Sequence, residues 1–259
     1  MGMNWDKEVD VLVVGSGAGG LFSALVAAKN HADVLIVEKD RLWGGTSATS
    51  GGGIWIPGSD QAKAAGFEDN LDDAFKYVRA LSADNVPDEN IRAFVDNAAP
   101  MLRWLTENTP VRYAAMPYPD YHAENPGGSA IGFRTHLPHT FDGKLLGDTI
   151  RTQRLPSPAA SLFGFLQWTF AETYELLYRT KGWFTHLCIN MARYAFDWPF
   201  RFTSKKDRRL TLGNALTGGL RHALNQTNVP LWLSTPLKEL VREGDAIVGV
   251  VVEKAGKPY

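Results

Sequence analysis

The sequence predicts an α/β protein organised on a Rossmann-like dinucleotide-binding unit near its amino terminus. Three observations predict it. Val11–Val14 and Val34–Val37 are short β-branched runs with no polar face, as strands buried on both sides require. Between them Gly15, Gly17 and Gly20 supply G-x-G-x-x-G, and Leu21–Lys29 continues as an alanine-rich helical stretch. Glu38 closes the second strand 18 residues beyond Gly20, the place from which a carboxylate reaches a ribose.

Each position has a physical task. Gly15 permits the tight turn, Gly17 lets backbone approach a pyrophosphate, and Gly20 lets the helix pack closely on the sheet. The helix start offers unpaired N–H groups and a positive dipole end, so Ser16, Ala18 and Gly19 are expected at the cofactor with the three glycines. Glu38, followed by Lys39, is expected to accept hydrogen bonds from both ribose hydroxyls and to repel a 2′-phosphate, which disfavours NADP. A second run of small residues follows: Gly44, Gly45, Thr46, Ser47, Thr49, Ser50, Gly51, Gly52 and Gly53. NAD needs no second phosphate-cradling loop there. FAD is longer, so it is the expected dinucleotide, with all nine residues as contacts. A flexible glycine–serine linker is the alternative, but Trp43 and Ile54–Pro57 flank the run with residues that look packed rather than solvated.

GSGAGG, VEK and GGTSATSGGGIWIP together resemble the fumarate reductase/succinate dehydrogenase flavoprotein superfamily. They match best its 3-ketosteroid Δ1-dehydrogenase branch, whose members carry GG(S/T)(T/S)A.SGGG.W.P in this place. The resemblance implies a glutathione-reductase-like FAD-binding domain joined to the start of an α+β substrate or cap domain. Membrane-bound members attach FAD through a histidine in this region. No histidine lies between His31 and His122, so that route is excluded and non-covalent FAD is expected. The implied reaction removes hydrogen from C1 and C2 of a 3-ketosteroid, a tyrosinate taking the C2 proton and flavin N5 the C1 hydride. The substrate is then small, hydrophobic and steroid-like, with an electron acceptor the sequence does not identify. A soluble fumarate-reductase-like flavoprotein reducing an activated C=C bond, and a non-catalytic FAD-binding fragment, are the alternatives.

Composition narrows the classes. With 259 residues, 44% apolar and 21% charged, the chain can bury a real core. A net charge of −1 gives no electrostatic case for nucleic acid. Cys188 is the only cysteine, which excludes a disulfide framework and a cysteine metal cluster; no metal is expected, and a reducing, cytoplasmic setting is. The opening MGMNWDKEVD has no apolar signal region, and no stretch has the length and apolarity of a membrane span.

Residues 1–110 are expected to form the first part of the FAD-binding domain, with helices over 62–66, from 70 to 81 and from 87 past Pro100 to 105. Residues 111–209 are the expected substrate or cap segment. Within it 111–128 reads as an ordered loop carrying Tyr118, Asp120, Tyr121 and His122. The Y-x-D-Y match implies that Tyr121, with Tyr118 beside it, lines the steroid pocket and supports the catalytic base. Two tyrosines anchoring a loop is the other reading, and Asp120 and His122 read as polar loop residues. Phe163–Phe202 departs from the family pattern. It is dense in aromatic residues and is followed by Lys205, Lys206, Arg208 and Arg209. It is either a helical cap on the core or an amphipathic surface over 163–209 that meets a membrane or the entry path of a greasy substrate. Residues 210–259 return to the FAD-binding domain through a helix over 211–224, a strand over 229–233 and a strand pair around Gly244-Asp245. The resemblance places backbone near Leu237 at the adenine. Family members continue for roughly as many residues again, so it implies an amino-terminal fragment. The second glycine stretch, the base tyrosine and the ketone-polarising backbone would be missing, and no turnover is expected from this length alone.

Overall fold

The structure, a computed structural model, describes residues 5–259. β1 (Val11–Val14), α1 (Ala18–Lys29) and β2 (Val34–Val37) form the expected unit, β1 and β2 pairing in parallel from Val11↔Val34 to Val14↔Val37. All four residues of β2 are buried because it is the central strand of its sheet. The glycine turn is closed sterically. A Cβ on Gly20 would lie 2.1 Å from the Gly15 carbonyl oxygen, so only glycine lets α1 start this close to the strand end.

The second glycine run is not a continuous loop. Gly45–Thr49 winds into a single helical turn, α2, before the short strand β3 (Ile54–Trp55). Thr49 and Ser50 donate their hydroxyls back to the carbonyls of Thr46 and Ser47, which stabilises a turn that small polar residues otherwise resist. α3 (Asp60–Ala64) is capped by Ser59 and α4 (Leu71–Leu81) by Asn70, whose side chain accepts from two first-turn amides. α5 (Asp88–Asn108) runs through Pro100 because Ala98, Leu102 and Leu105 all face the core.

The segment read as loop begins with a strand, β4 (Tyr113–Ala115). It pairs with β5 (Thr135–Pro138), which in turn pairs with β3. Residues 116–134 are therefore one long excursion between two strands of a sheet. β6 (Phe141–Asp142) leads into a 3-10 segment, Gly143–Thr152, then a small hairpin of β7 (Ser161–Leu162) and β8 (Leu166–Gln167). The aromatic segment folds into α6 (Phe170–Tyr178), α7 (Trp183–Phe196) and α8 (Trp198–Arg201).

This segment does not bury its aromatics as a cap on the core would. Trp168 and Phe200 are buried, but Phe170, Tyr174, Leu177 and Tyr178 lie exposed along α6, and Phe184, Ile189 and Phe196 along α7. The polar groups sit between the helices instead. Glu175 meets His186 at 2.6 Å, and Glu172 meets Asn190 at 3.4 Å while taking Arg209 at 2.6 Å. The pair is inverted, with a polar seam and an apolar outer face.

β9 (Arg209–Leu210) pairs with β6, and α9 (Leu212–Asn225) then crosses the core. It is buried without interruption from Leu212 to Leu220 and packs against α1 and α2. β10 (Leu231–Trp232) adds to β2 in parallel. β11 (Leu237–Glu243), β12 (Ala246–Lys254) and β13 (Lys257–Pro258) form a separate antiparallel sheet. That sheet covers Leu35 and Val37, the face of β2 opposite α1, through Leu237, Val250 and Val252.

Candidate cofactor site

The two glycine segments meet at the start of α1. Ser16 donates both its amide (2.9 Å) and its hydroxyl (2.6 Å) to Oε2 of Glu38. The same hydroxyl accepts from the Gly44 amide at 3.1 Å. Oε1 of Glu38 accepts from the Asp40 amide at 2.9 Å. Ser47, from the second segment, accepts from the Ala18 amide at 3.0 Å.

These contacts change the sequence-based picture at two residues. Ser16 is fully buried with its amide and hydroxyl both turned to Glu38, so its side chain does not face the open surface of the junction. Glu38 is also buried and already holds three hydrogen bonds, so it does not have a carboxylate free for two ribose hydroxyls. Gly19, Lys39, Thr46 and Ser50 are exposed around the junction, and Gly15, Gly17, Ala18, Gly45, Ser47 and Thr49 are half-buried. Gly52 is buried against the backbone of Leu212 and Gly213, which makes it a packing position. Leu237 packs with Leu35 and Val37 on the face of β2 opposite α1.

The junction fits a diphosphate. α1 has no side-chain cap and no acidic residue in its first turn, and Ser47 takes only the Ala18 amide. The following amides of that turn have no intrahelical acceptor.

Gly51 and Gly53 continue the second segment into a cavity of about 600 Å³. Its other walls include Trp55, Tyr77, Val78, Leu81, Leu137 and Phe170, a mostly apolar lining. Trp55 stacks on Tyr77 at 5.7 Å and donates Nε1–H to Asp120 Oδ1 at 2.7 Å. Asp120, read from the sequence as a polar loop residue, is a buried anchor. Arg134 donates to it at 3.0 Å and to Asp69 at 2.7 Å, with all three side chains under 5% exposed. This triad fixes the 116–134 excursion beside the glycine segment. Tyr121 lies on the cavity rim with its side chain fully exposed, while Tyr118 is 43% exposed and does not line the cavity.

Three polar groups behind the wall could not be read from local sequence. Tyr113 donates its phenol to the Gly52 carbonyl at 2.8 Å, and burial raises its pKa well above the usual phenol range. Asn214, on α9, donates to the Ala48 carbonyl at 2.6 Å and so ends α2. His136 is completely buried between Ser59 Oγ (2.7 Å) and the Arg134 carbonyl (2.8 Å), and burial lowers its pKa. Its Nδ1–H must donate to that carbonyl, which leaves neutral Nε2 to accept from Ser59.

The family model described as FAD binding domain matches residues 10–258. The chain is 40% identical over 258 residues to 3-oxosteroid 1-dehydrogenase of Comamonas testosteroni, covering 97% of this chain and 44% of that protein. It is 33% identical over 248 residues to the 3-oxosteroid 1-dehydrogenase of Mycolicibacterium smegmatis, covering 95% and 42%. The crystal structure of 3-ketosteroid Δ1-dehydrogenase from Sterolibacterium denitrificans, in complex with 1,4-androstadiene-3,17-dione, superposes with a TM-score of 0.89 at 37% identity. That match covers 97% of this chain and 45% of the other. The chain spans less than half the length of each of these three relatives.

Proposed function

The chain belongs to the FAD-binding-domain family, and from that premise we propose that it holds FAD non-covalently where its two glycine segments meet and serves the 1,2-dehydrogenation of a 3-oxosteroid. The observation that carries the substrate class is the cavity. It is apolar, of a size suited to a small ligand, and walled on one side by Gly51 and Gly53, which continue the cofactor segment. FAD supplies the acceptor for the hydride leaving C1. The chain's own residues orient the two molecules. The first turn of α1 takes the diphosphate, Glu38 takes the ribose, and Trp55, Tyr77 and Phe170 pack the steroid rings and exclude water. Tyr121 closes the rim, where its hydroxyl can bond the group that removes the C2 proton.

The test has two arms. Protein loaded with FAD and precipitated with acid is expected to release its yellow colour to the supernatant; colour that stays with the pellet overturns non-covalent binding. Titration of the loaded protein with 4-androstene-3,17-dione is expected to perturb the flavin spectrum saturably, and Tyr121→Ala to weaken that binding several-fold. A perturbation by fumarate and none by the steroid overturns the substrate reading in favour of a fumarate-reductase-like enzyme.

We propose also that the outer face of α6 and α7 rests on a lipid surface. Exposed aromatics along two helices whose polar groups face each other support it. The basic residues that follow are mostly spent. Lys206 donates to the carbonyls of Ile150 and Gln153, Arg208 pairs with Asp197 and Arg209 with Glu172, which leaves Lys205 exposed. The contact is therefore driven by apolar burial. Among the described residues no helix is long and apolar enough to cross a membrane. Flotation is expected with neutral and anionic vesicles alike, and little changed by salt. Protein that remains at the bottom of the gradient with both overturns the lipid reading.

A further inference from the structure

Ser16 and Glu38 carry an inference that reaches past the general assignment of FAD. A carboxylate offers about four acceptor sites, two on each oxygen. At Glu38 the Ser16 amide and hydroxyl fill both sites of Oε2, and the Asp40 amide fills one site of Oε1. One site remains, on Oε1. We propose that Ser16 is a positioning residue for the adenosine end of the cofactor, and that the oriented Glu38 carboxylate accepts from a single ribose hydroxyl.

The geometry gives Ser16 this role. Its hydroxyl has one hydrogen, which goes to Glu38 at 2.6 Å, and its oxygen accepts from the Gly44 amide at 3.1 Å. One buried side chain thus ties the first glycine turn, the end of β2 and the start of the second glycine segment. A carboxylate held by two donors on one oxygen cannot rotate to present both oxygens to a ribose. Its in-plane direction is set before any ligand arrives, and pre-set acceptors bind without a further ordering cost. Two neighbouring hydroxyls of a ribose therefore differ in value at this site.

The inference rests on the FAD reading, and ADP is the probe so that steroid binding plays no part. The full chain is titrated calorimetrically with ADP, 2′-deoxy-ADP and 3′-deoxy-ADP. One deoxy analogue is expected to bind about tenfold or more weaker than ADP, as loss of a charge-assisted hydrogen bond implies, and the other within about twofold. Glu38→Gln is expected to weaken ADP and to bring the two analogues level. Ser16→Ala removes the hydroxyl bonds to Glu38 and Gly44 and leaves the carboxylate held only by the amides of residues 16 and 40, so discrimination between the analogues is expected to shrink to within about threefold, an effect that a general loss of stability does not produce. Equal losses for both analogues in the unmodified protein overturn the single-hydroxyl claim, and unchanged discrimination in Ser16→Ala overturns the positioning role. Neither of those results touches the FAD reading. Absence of any saturable ADP binding overturns both.

Discussion

Replacing Arg134 with methionine is expected to lower the unfolding free energy by about 3–5 kcal/mol, because it strands two buried carboxylates. Asp69 and Asp120 are 2% and 0% exposed at their side chains, and both rely on this one guanidinium. The remaining donors do not replace it. Asp120 keeps the Trp55 indole and the Ser129 amide, and Asp69 keeps the amides of Gly58 and Asn70, which are neutral hydrogen bonds to full charges. The Gly127 carbonyl also loses its donor, since Arg134 Nη1 reaches it at 2.8 Å. Arg134→Lys retains the charge but not the fork that spans both partners, so an intermediate loss is expected. Urea unfolding of the three proteins at one pH measures the order. A loss under about 1 kcal/mol for the methionine variant would show that water reaches the carboxylates, contrary to their burial. Limited proteolysis adds a local readout, with new cleavage in 116–134 expected as the excursion loosens.

The second large effect is expected at Gly213, on the helix that supports the second cofactor segment. A Cβ there would sit 1.9 Å from the Ser47 carbonyl oxygen and 2.8 Å from that of Ser50. Both atoms are backbone, so no rotamer change relieves the overlap; either α9 or α2 must move. Gly213→Ala is therefore expected to cost at least about a hundredfold in FAD affinity, roughly 2.7 kcal/mol, even though alanine favours the helix by about 1 kcal/mol over glycine. Gly219, on the same helix, is the internal control. Its Cβ would meet the side chain of Val111 at 2.5 Å, away from α2. Gly219→Ala is expected to shift the melting temperature while leaving FAD affinity within about threefold. Equal affinity losses at the two glycines would mean that α9 acts on the site only through global stability.

The parts of this fold legible in the sequence are those encoded within a few residues. The strands of the βαβ unit were readable to their ends, since β-branched runs bounded by glycine admit few alternatives. Asn70 announces its helix by capping chemistry, Leu21–Lys29 misses only the first turn of α1, and the short helix expected over 62–66 starts earlier, at Asp60, behind the Ser59 cap. What was not legible depends on partners far apart in the chain. The charge of Asp120 says nothing of its burial, because its cation lies at 134 and that cation's second partner at 69. Glu38 looks like a free ribose acceptor until Ser16 is seen to hold it, although the two residues are 22 apart. The inversion of α6 and α7 is hidden for another reason. Helical spacing shows that an apolar stripe exists, but only the packed pair shows which side of it the core takes.

The bond from Asn214 to Ala48 spans 166 residues, and so does the timetable of synthesis. The βαβ unit has its hydrophobic partners close in sequence and can collapse as it emerges from the ribosome. The turn at Gly45–Thr49 is made at nearly the same moment, yet Asn214 on its supporting helix follows Ala48 by 166 residues. Until then its terminal carbonyls face water, and the segment behaves as an unanchored strand of small residues. Cofactor captured during translation would meet a phosphate turn without its flanking wall. Closing so long a loop is slow relative to local folding, so the second glycine segment is completed after the βαβ unit rather than with it.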